Sequence, residues 1–271
     1  MPQEFTHYLI TRYNVPFKNW DTDKAGNQVG HDEWMHQRLN LFKKYCVPTV
    51  VRQSNPGFHW LIYLDEQTNL KHVKAISDEL RGAQNAELRF AANMEGLLAD
   101  LRAVVSGCQT DYIITSRLDN DDGLGIDYIR NVQEAFLPQS KILINMVHGI
   151  MYDLDRRILT ELRKAYLNHF TSLIEVRKAA DECLTVLGFA HTQPPPDCVI
   201  LNLHTTCSWL KIIHGRNLNS RTKGRPVLRS RILPCYTVDR EDFPVSIGQT
   251  TLYAVGKGIE RISKLFGRGK E

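Results

Sequence analysis

The segment TSRLDNDDGLG, residues 115–125, places three carboxylates within four positions, at Asp119, Asp121 and Asp122. The cation nearest to them in the sequence is Arg117. Like charges this close repel, and each raises the pKa of the others unless a positive charge lies among them. At an extended strand end, Asp119 and Asp121 point to the same face, so both carboxylates can share one hard cation. The spacing therefore predicts a site for a divalent cation that also holds diphosphate oxygens.

Two other acidic or glycine-rich motifs do not fit this segment. An EF-hand loop needs glycine at its sixth position and Asp or Asn at its first, third and fifth. With Gly123 sixth, Leu118 comes first, and with Gly125 sixth, Leu124 comes fifth. The two glycines also lack the third glycine of a dinucleotide fingerprint. The remaining alternative is a solvated turn that caps a helix predicted over 126–136.

The first half of the chain alternates strand and helix patterns. The strand candidates are 7–15, 58–65 and 111–119, and the helix candidates between them include 34–45, 70–80 and 94–107. Strands separated by helices indicate βαβ units and a largely parallel sheet. Ligands of such sheets bind at the carboxyl ends of the strands. Asp65 and Asp119 fall at such ends, and Arg12 lies late in the first strand.

The second half is less regular. Its strand candidates are 141–149, 170–176 and 198–206, and a helix is predicted near 155–168. A basic loop follows at 216–225. No break in composition indicates a second domain. We therefore predict one catalytic unit, with its catalytic domain over 1–225 and a C-terminal appendage over 226–271.

Composition narrows the class of protein. The 271 residues carry a net charge of +4 and are 42% hydrophobic, as in an ordinary soluble globular protein. The isoelectric point of 8.7 suits an anionic ligand but falls short of a nucleic-acid-binding signature. Six cysteines without a CxxC pair predict reduced thiols. The first residues lack the pattern of a signal peptide, and no window is apolar enough for a membrane span, so we expect a cytoplasmic protein.

Two features near residue 214 have open interpretations. His214 follows the run WLKII and precedes the basic loop, where a histidine is either structural or a ligand. Arg221 and Lys223 belong to a run of cations that is either a solvated face or an anion clamp. Arginine suits phosphate because its planar guanidinium binds two oxygens at once.

Five segments occur in an order that resembles a known family: HYLITRYNVPF, FHWLIYLDEQT, YIITSRLDNDDGL, FTSLIE and SWLKIIHGRNLNSR. The chain resembles the rhamnosyltransferase-like glycosyltransferases, which are bacterial GT-A-type enzymes, over residues 5–225. The segment TSRLDNDD is the most specific part of the match. The resemblance implies an α/β fold of the GT-A-like, Rossmann-type class of nucleotide-diphospho-sugar transferases, with a mixed central sheet.

The resemblance also implies a metal site. A DxD motif at a strand end of GT-A enzymes binds Mn²⁺ or Mg²⁺ between the two phosphates of a nucleotide-sugar. On this chain the motif is Asp119 and Asp121, with Asp122 as an alternative ligand. His214 matches the late histidine that many of these enzymes add as a further ligand. An acid after an early strand commonly contacts the nucleoside, and Asp65 fits that place.

Further residues are expected around the donor and the acceptor. Arg12 and Arg117 are expected to lie against the donor's base or phosphates, and Arg221 or Lys223 to close over the phosphates. An inverting enzyme also needs a carboxylate that takes the proton of the acceptor hydroxyl. Glu175, in SLIE, is the candidate base; its alternative role is to position backbone or sugar. Inversion and retention both stay open.

The expected activity is transfer of a sugar, a hexose such as rhamnose, from a nucleotide-diphosphate donor to a glycan or lipid-linked acceptor. Synthesis of bacterial envelope polysaccharide would use such a reaction. Two alternatives are a metal-dependent phosphohydrolase or nucleotidyltransferase, and a non-catalytic module that binds nucleotide or glycan. No nucleic-acid partner is expected, whereas a homo-oligomer is compatible with the sequence.

The C-terminal stretch has the pattern of an amphipathic helix. Its apolar positions are Leu252, Val255, Ile259, Ile262 and Phe266, and its basic positions are Lys257, Arg261, Lys264 and Arg268. From Thr251 on, five cations and two acids give a net charge of +3. Such a helix can lie in the interface of an anionic membrane, here the inner face of the cytoplasmic membrane. Alternatively, its apolar face docks on the catalytic domain or on a second subunit.

Overall fold

The computed structural model describes residues 4–17, 30–163, 167–215 and 221–267. The strands are β1 (Phe5–Arg12), β2 (His59–Asp65), β3 (Ala86–Ala91), β4 (Tyr112–Arg117), β5 (Gly123–Leu124), β6 (Ile142–Met146), β7 (His148–Asp153), β8 (Ile158–Arg163), β9 (Thr171–Val176), β10 (Val199–Leu203), β11 (Trp209–Ile213) and β12 (Arg225–Pro226). The helices are α1 (Asp32–Leu41), α2 (Val47–Val51), α3 (Leu70–Glu79), α4 (Met94–Ser106), α5 (Tyr128–Glu134), α6 (Arg229–Ile232) and α7 (Ile247–Gly267), with a π-helical turn, Phe42–Cys46, between α1 and α2.

Some predicted features lie outside these residues. They are Arg216 with the rest of 216–220 in the basic loop, the side chains of Arg261, Ile262, Lys264 and Phe266, and the whole of Arg268.

A seven-stranded sheet forms the centre of the protein, in the order β10-β6-β9-β4-β1-β2-β3. Strands β1, β2, β3 and β4 pair in parallel, as their βαβ pattern requires. Strand β9 runs antiparallel to both of its neighbours, β4 and β6. The predicted mixed central sheet of an α/β fold is therefore confirmed.

Both faces of this sheet are covered, because successive side chains of a strand point in opposite directions. On one face, Leu9 belongs to a core that includes Trp34 of α1 and Ile76 of α3. On the other, Ile10 belongs to a core that includes Leu97 of α4. All six cysteines, which lie within the described ranges, have free thiols.

The turn that holds the predicted acidic cluster joins two sheets. We call residues 119–122 the acidic turn; the N–H of Asp122 donates to the carbonyl of Asp119 at 3.2 Å. Directly after it, β5 pairs antiparallel with β11, so that Gly123 lies opposite Leu210. The acidic turn therefore leaves the central sheet at β4 and enters the second sheet at β5.

The second sheet has five strands in the order β12-β8-β7-β11-β5. The helix predicted near 155–168 is wrong, because residues 158–163 form β8 and pair antiparallel with β7. Arg157, with a φ of 55°, forms part of the tight turn between the two strands, which a continuous helix excludes. In this sheet Gly149 lies opposite Trp209, whose ring would lie 2.0 Å from any added Cβ, so the position admits glycine only.

Residues after the predicted boundary at 225 complete the core of the second sheet. Tyr236 and Phe243 are buried there beside Tyr152. The hydroxyl of Tyr152 donates to the carbonyl of Pro244 at 2.8 Å. Helix α7 follows this segment. Within the described residues, no helix has both the length and the apolar content to cross a membrane.

Candidate functional site

The direction of the strands decides which residues meet the acidic turn. The carboxyl end of β4 leads into this turn, and the carboxyl end of β1, with Arg12, lies beside it. Because β9 runs antiparallel to β4, its amino end lies at this same edge of the sheet. The residues just before β9, including His169, therefore reach the acidic turn.

Asp119, Asp122 and His169 form a cluster. One ligand atom from each of the three side chains lies within 4.8 Å of the other two, a spacing that could hold a metal ion. His169 Nε2 lies 2.9 Å from Asp122 Oδ2. The backbone N–H of Ile212, on β11, donates to Asp122 Oδ1 at 2.8 Å. Asp122 is thus held by both sheets.

Asp121 points to a different set of partners. Its Oδ2 pairs with Arg38 of α1, and the same oxygen lies 2.9 Å from His214 Nε2. The Arg38 guanidinium also donates to Asn120 Oδ1 at 3.2 Å and lies 5.0 Å from the ring centre of Trp34. The Arg38 and Asp121 side chains are only 9% and 7% exposed, so this ion pair is buried.

Asp119 is the most accessible of the three acids, with a side chain that is 33% exposed. Arg117 Nη2 lies 3.1 Å from Asp119 Oδ1. Arg12 also attracts the charge of Asp119, while burial lowers the pKa of Arg12 to about 10. Two arginines therefore flank the open side of the cluster.

The environment drives the pKa values of neighbouring carboxyls apart. Burial raises the pKa of Asp122 to about 8, although the nearby Lys211 attracts its charged form. Burial also works against ionisation of Asp121, yet Arg38 and His214 hold the pKa of Asp121 well below its usual value. Burial and then Lys211 hold the pKa of His169 well below its usual value. Adjacent acids with opposite shifts are typical of functional sites.

Lys211 of β11 completes the cluster. Its Nζ lies 3.1 Å from His169 Nε2 and 3.8 Å from Asp122 Oδ2. The Lys211 side chain is only 17% exposed. An ammonium group is therefore present among the oxygen and nitrogen atoms that could bind a metal ion.

Asp65 lies at the predicted edge of the sheet, whereas Glu175 does not. Asp65 ends β2, and its Oδ1 accepts the N–H of Gln67 at 2.9 Å. Glu175 pairs with Ile113, near the start of β4. It therefore lies roughly 13 Å along the strand from the end of β4, at about 3.3 Å per residue.

Both carboxylate oxygens of Glu175 are engaged by the backbone. They accept the N–H groups of Leu184 at 3.0 Å and Thr185 at 2.8 Å. The structure does not bring Glu175 to the acidic turn, so this position does not support its role as the base, which stays a prediction. The contacts match its alternative role of positioning backbone.

Arg221 and Lys223 lie in the segment that leads into β12. Both side chains are exposed. The backbone carbonyl of Lys223 accepts the hydroxyl of Thr160 on β8. Contact of either side chain with a donor phosphate stays a prediction, as does metal binding by Asp121 and His214.

Three residues of this site were not predicted from the sequence: Arg38, His169 and Lys211. His169 directly precedes FTSLIE. That run was identified as a strand, but its antiparallel direction was not predicted. Lys211 lies within the run WLKII, where a lone lysine in an apolar strand was the available signal. Arg38 had no comparable signal, because it lies on a helix far away in the sequence.

The mixed central sheet, with the acidic turn at the carboxyl end of β4, defines an α/β protein whose candidate site lies at that edge of the sheet. The chain belongs to the glycosyltransferase family described as "Putative rhamnosyl transferase", whose model matches residues 9–226.

Several solved structures resemble the chain at low identity. S. aureus TarS in complex with UDP has 11% identity and a TM-score of 0.43, covering 78% of this chain and 61% of that one. A second S. aureus TarS structure has 11% identity and a TM-score of 0.41, covering 76% and 60%. HddC from Yersinia pseudotuberculosis has 10% identity and a TM-score of 0.38, covering 75% and 91%. The chain thus spans about 60% of the length of these TarS structures. No curated protein matches the chain in sequence.

Proposed function

We propose that the chain is a metal-dependent glycosyltransferase that moves a sugar from a nucleotide-diphosphate donor to a hydroxyl acceptor. The observation that carries this proposal is the Asp119–Asp122–His169 cluster at the carboxyl end of β4, in a member of a glycosyltransferase family. Arg12 and Arg117 border the cluster, and an anionic donor needs such cations. The family description makes rhamnose the first hexose to test.

The donor atoms of the cluster suit Mn²⁺ or Mg²⁺. Two carboxylates offer hard oxygen ligands, and an imidazole nitrogen is accepted by Mn²⁺. We propose that Asp119, Asp122 and His169 hold the ion; the second set to test is Asp119 with Asp121 and His214. When bound, such an ion stabilises the negative charge that grows on the leaving diphosphate.

The residues of the chain supply the remaining contacts to the donor. Arg117 lies at the open side of Asp119, where its guanidinium can bind a phosphate with two donors. Arg12 adds a second cation at the same edge. We propose that Asp65, two strands away, accepts hydrogen bonds from the nucleoside, and that Arg221 and Lys223 cover the phosphates.

A thermal-shift panel tests the donor class. UDP, GDP, dTDP and CMP are each added with and without Mn²⁺. One nucleoside diphosphate should stabilise the protein only when Mn²⁺ is present, by about 2.7 kcal/mol at a concentration 100 times its dissociation constant. No stabilisation by any of the four would contradict the proposal. Release of inorganic phosphate from the stabilising nucleotide would instead support the phosphohydrolase alternative.

We further propose that the enzyme works at the inner face of a membrane, on a lipid-linked or envelope-destined acceptor. Leu252, Val255 and Ile259 of α7 lie on one helix face and are 67%, 55% and 62% exposed. The opposite side carries Tyr253, whose hydroxyl lies 3.4 Å from the carbonyl oxygen of Gly224. The exposure of these three apolar side chains, while Tyr253 contacts the protein, supports the proposed contact with an anionic membrane.

Co-sedimentation of the full chain with vesicles tests this localisation. Binding to phosphatidylserine-containing but not to neutral vesicles is expected, and the triple change of Leu252, Val255 and Ile259 to Ser should abolish it. Leu228→Ser is the matched control, because Leu228 is 70% exposed outside α7. No binding to either vesicle, together with a dimer whose dissociation follows the triple change, would assign the face to a second subunit instead.

A further inference from the structure

The ammonium of Lys211 lies beside the side-chain atoms that we propose bind the metal ion. It is 3.1 Å from His169 Nε2 and 3.8 Å from Asp122 Oδ2. It also attracts the charge of Asp119, so Lys211 acts electrostatically on that acid as well. The side chain extends from the middle of β11, whose next residue, Ile212, binds Asp122 through its backbone.

This placement differs from that of an ordinary surface lysine. Lys74 on α3, for example, pairs with Asp78 and is 72% exposed, whereas Lys211 is 17% exposed. Lysine near carboxylates in a partly buried place acts as a fixed counter-ion, since the carboxylates are less well solvated than at the surface. A divalent cation bound to the same atoms would meet strong repulsion from the ammonium at this distance.

The charges around the acidic turn also disfavour binding of a divalent cation on its own. Arg117 pairs with Asp119, Arg38 pairs with Asp121, and Lys211 Nζ lies 3.8 Å from Asp122 Oδ2. A divalent cation therefore adds positive charge to acids that already have partners. The diphosphate of a donor would supply negative charge that balances the added charge of the divalent cation.

We propose that Lys211 is the internal counter-ion of the cluster, that it competes with the divalent cation, and that it binds the donor's diphosphate when the cation has entered. The proposal rests on the proposed function. Two consequences follow. Without Lys211, the cluster should bind a divalent cation more tightly on its own, and a nucleoside diphosphate should bind less tightly in the presence of that cation.

The test compares Lys211→Met with wild type, with Lys211→Arg and with Lys74→Met. Mn²⁺ affinity is measured by the electron paramagnetic resonance signal of free Mn²⁺, first alone and then with UDP or the diphosphate found to bind. Lys211→Met should bind Mn²⁺ about 10-fold more tightly than wild type, and the diphosphate about 10-fold less tightly. Lys211→Arg keeps the charge and Lys74→Met removes an exposed one, so both should resemble wild type in Mn²⁺ affinity.

The outcomes separate this proposal from the proposed function. If wild type binds Mn²⁺ and Lys211→Met binds it no more tightly, the role of Lys211 is overturned while the metal site stands. If neither protein binds Mn²⁺ with or without a diphosphate, the metal site fails and the role of Lys211 fails with it. Thermal unfolding of each variant checks that the fold is intact; if Lys211→Met does not fold, Lys211→Gln, which also removes the charge, takes its place with the same expected and contradicting results.

Discussion

The two ends of β9 differ in their distance from the candidate site. At its amino end, His169 contacts the acidic turn. At its carboxyl end, Glu175 pairs with Ile113 near the start of β4 and is held by the backbone of Leu184 and Thr185. The rule that chemistry lies at the carboxyl ends of strands applies to parallel strands. In an antiparallel strand of such a sheet, the residue that precedes the strand lies at the edge that holds the acidic turn. The residue at the carboxyl end of the strand lies at the opposite edge.

Asp122→Asn changes the acid that His169 contacts. In Asp122→Asn, Oδ1 can still accept the N–H of Ile212, but Oδ2, which lies beside His169, becomes an amide nitrogen that cannot bind a cation. We expect sugar transfer to fall by at least about 100-fold, because stabilisation of the leaving group by a metal contributes several kcal/mol. Turnover with the donor found by the thermal-shift panel measures this effect.

Asp127→Asn is the control for that change, since Asp127 pairs with Arg130 on the surface. Near wild-type turnover in Asp122→Asn would contradict the proposed role of Asp122 as a metal ligand.

A second prediction concerns the support of the acidic turn. Arg38→Met leaves Asp121 buried without its guanidinium partner, which should lower the free energy of unfolding by about 3–5 kcal/mol. Urea denaturation measures the change. Arg81→Met, which breaks the exposed pair of Arg81 and Asp78, should leave the free energy of unfolding nearly unchanged. Equal effects of the two changes would show that the Arg38–Asp121 pair is not the buried support that the structure places there.

The sequence predicted those parts of the fold in which local pattern and topology agree. Strands β1, β2 and β4 were found from apolar runs, and the acidic turn was placed correctly because the parallel strands β1 and β4 have their carboxyl ends at the same edge of the sheet. The edge strand β3 was missed, since most of its side chains are partly or fully exposed and its pattern is weak. Strand β8 was mistaken for a helix, because Ile158, Leu159 and Leu162 are also spaced as on a helix face. Strand direction and contacts such as Arg38–Asp121 depend on tertiary structure, which local patterns do not encode.

At the carboxyl end of β9, the titration of Glu175 has a small expected effect on stability. Burial raises the pKa of Glu175, so its folded form holds a proton that the unfolded form releases near pH 4.5. The unfolded state therefore binds fewer protons, and wild type should lose stability as pH rises from about 4.5 through the raised pKa of Glu175.

Glu175→Gln should lack this part of the pH dependence, which denaturation of both proteins at pH 4 and pH 8 measures. Parallel pH profiles for the two proteins would contradict the assigned environment of Glu175. The substitution also replaces one oxygen that accepts a backbone N–H, so a stability loss of about 1 kcal/mol is expected as well.

The affinity for Mn²⁺ in the presence of the bound diphosphate compares the two ends of β9 in one measurement. His169→Ala removes a ligand of the proposed cluster and should weaken Mn²⁺ binding by about 100-fold. Glu175→Gln, at the other end of the same strand, should bind Mn²⁺ as wild type does. If instead His169→Ala binds Mn²⁺ normally while His214→Ala does not, the ion belongs with Asp121 and His214, and the proposed cluster is contradicted.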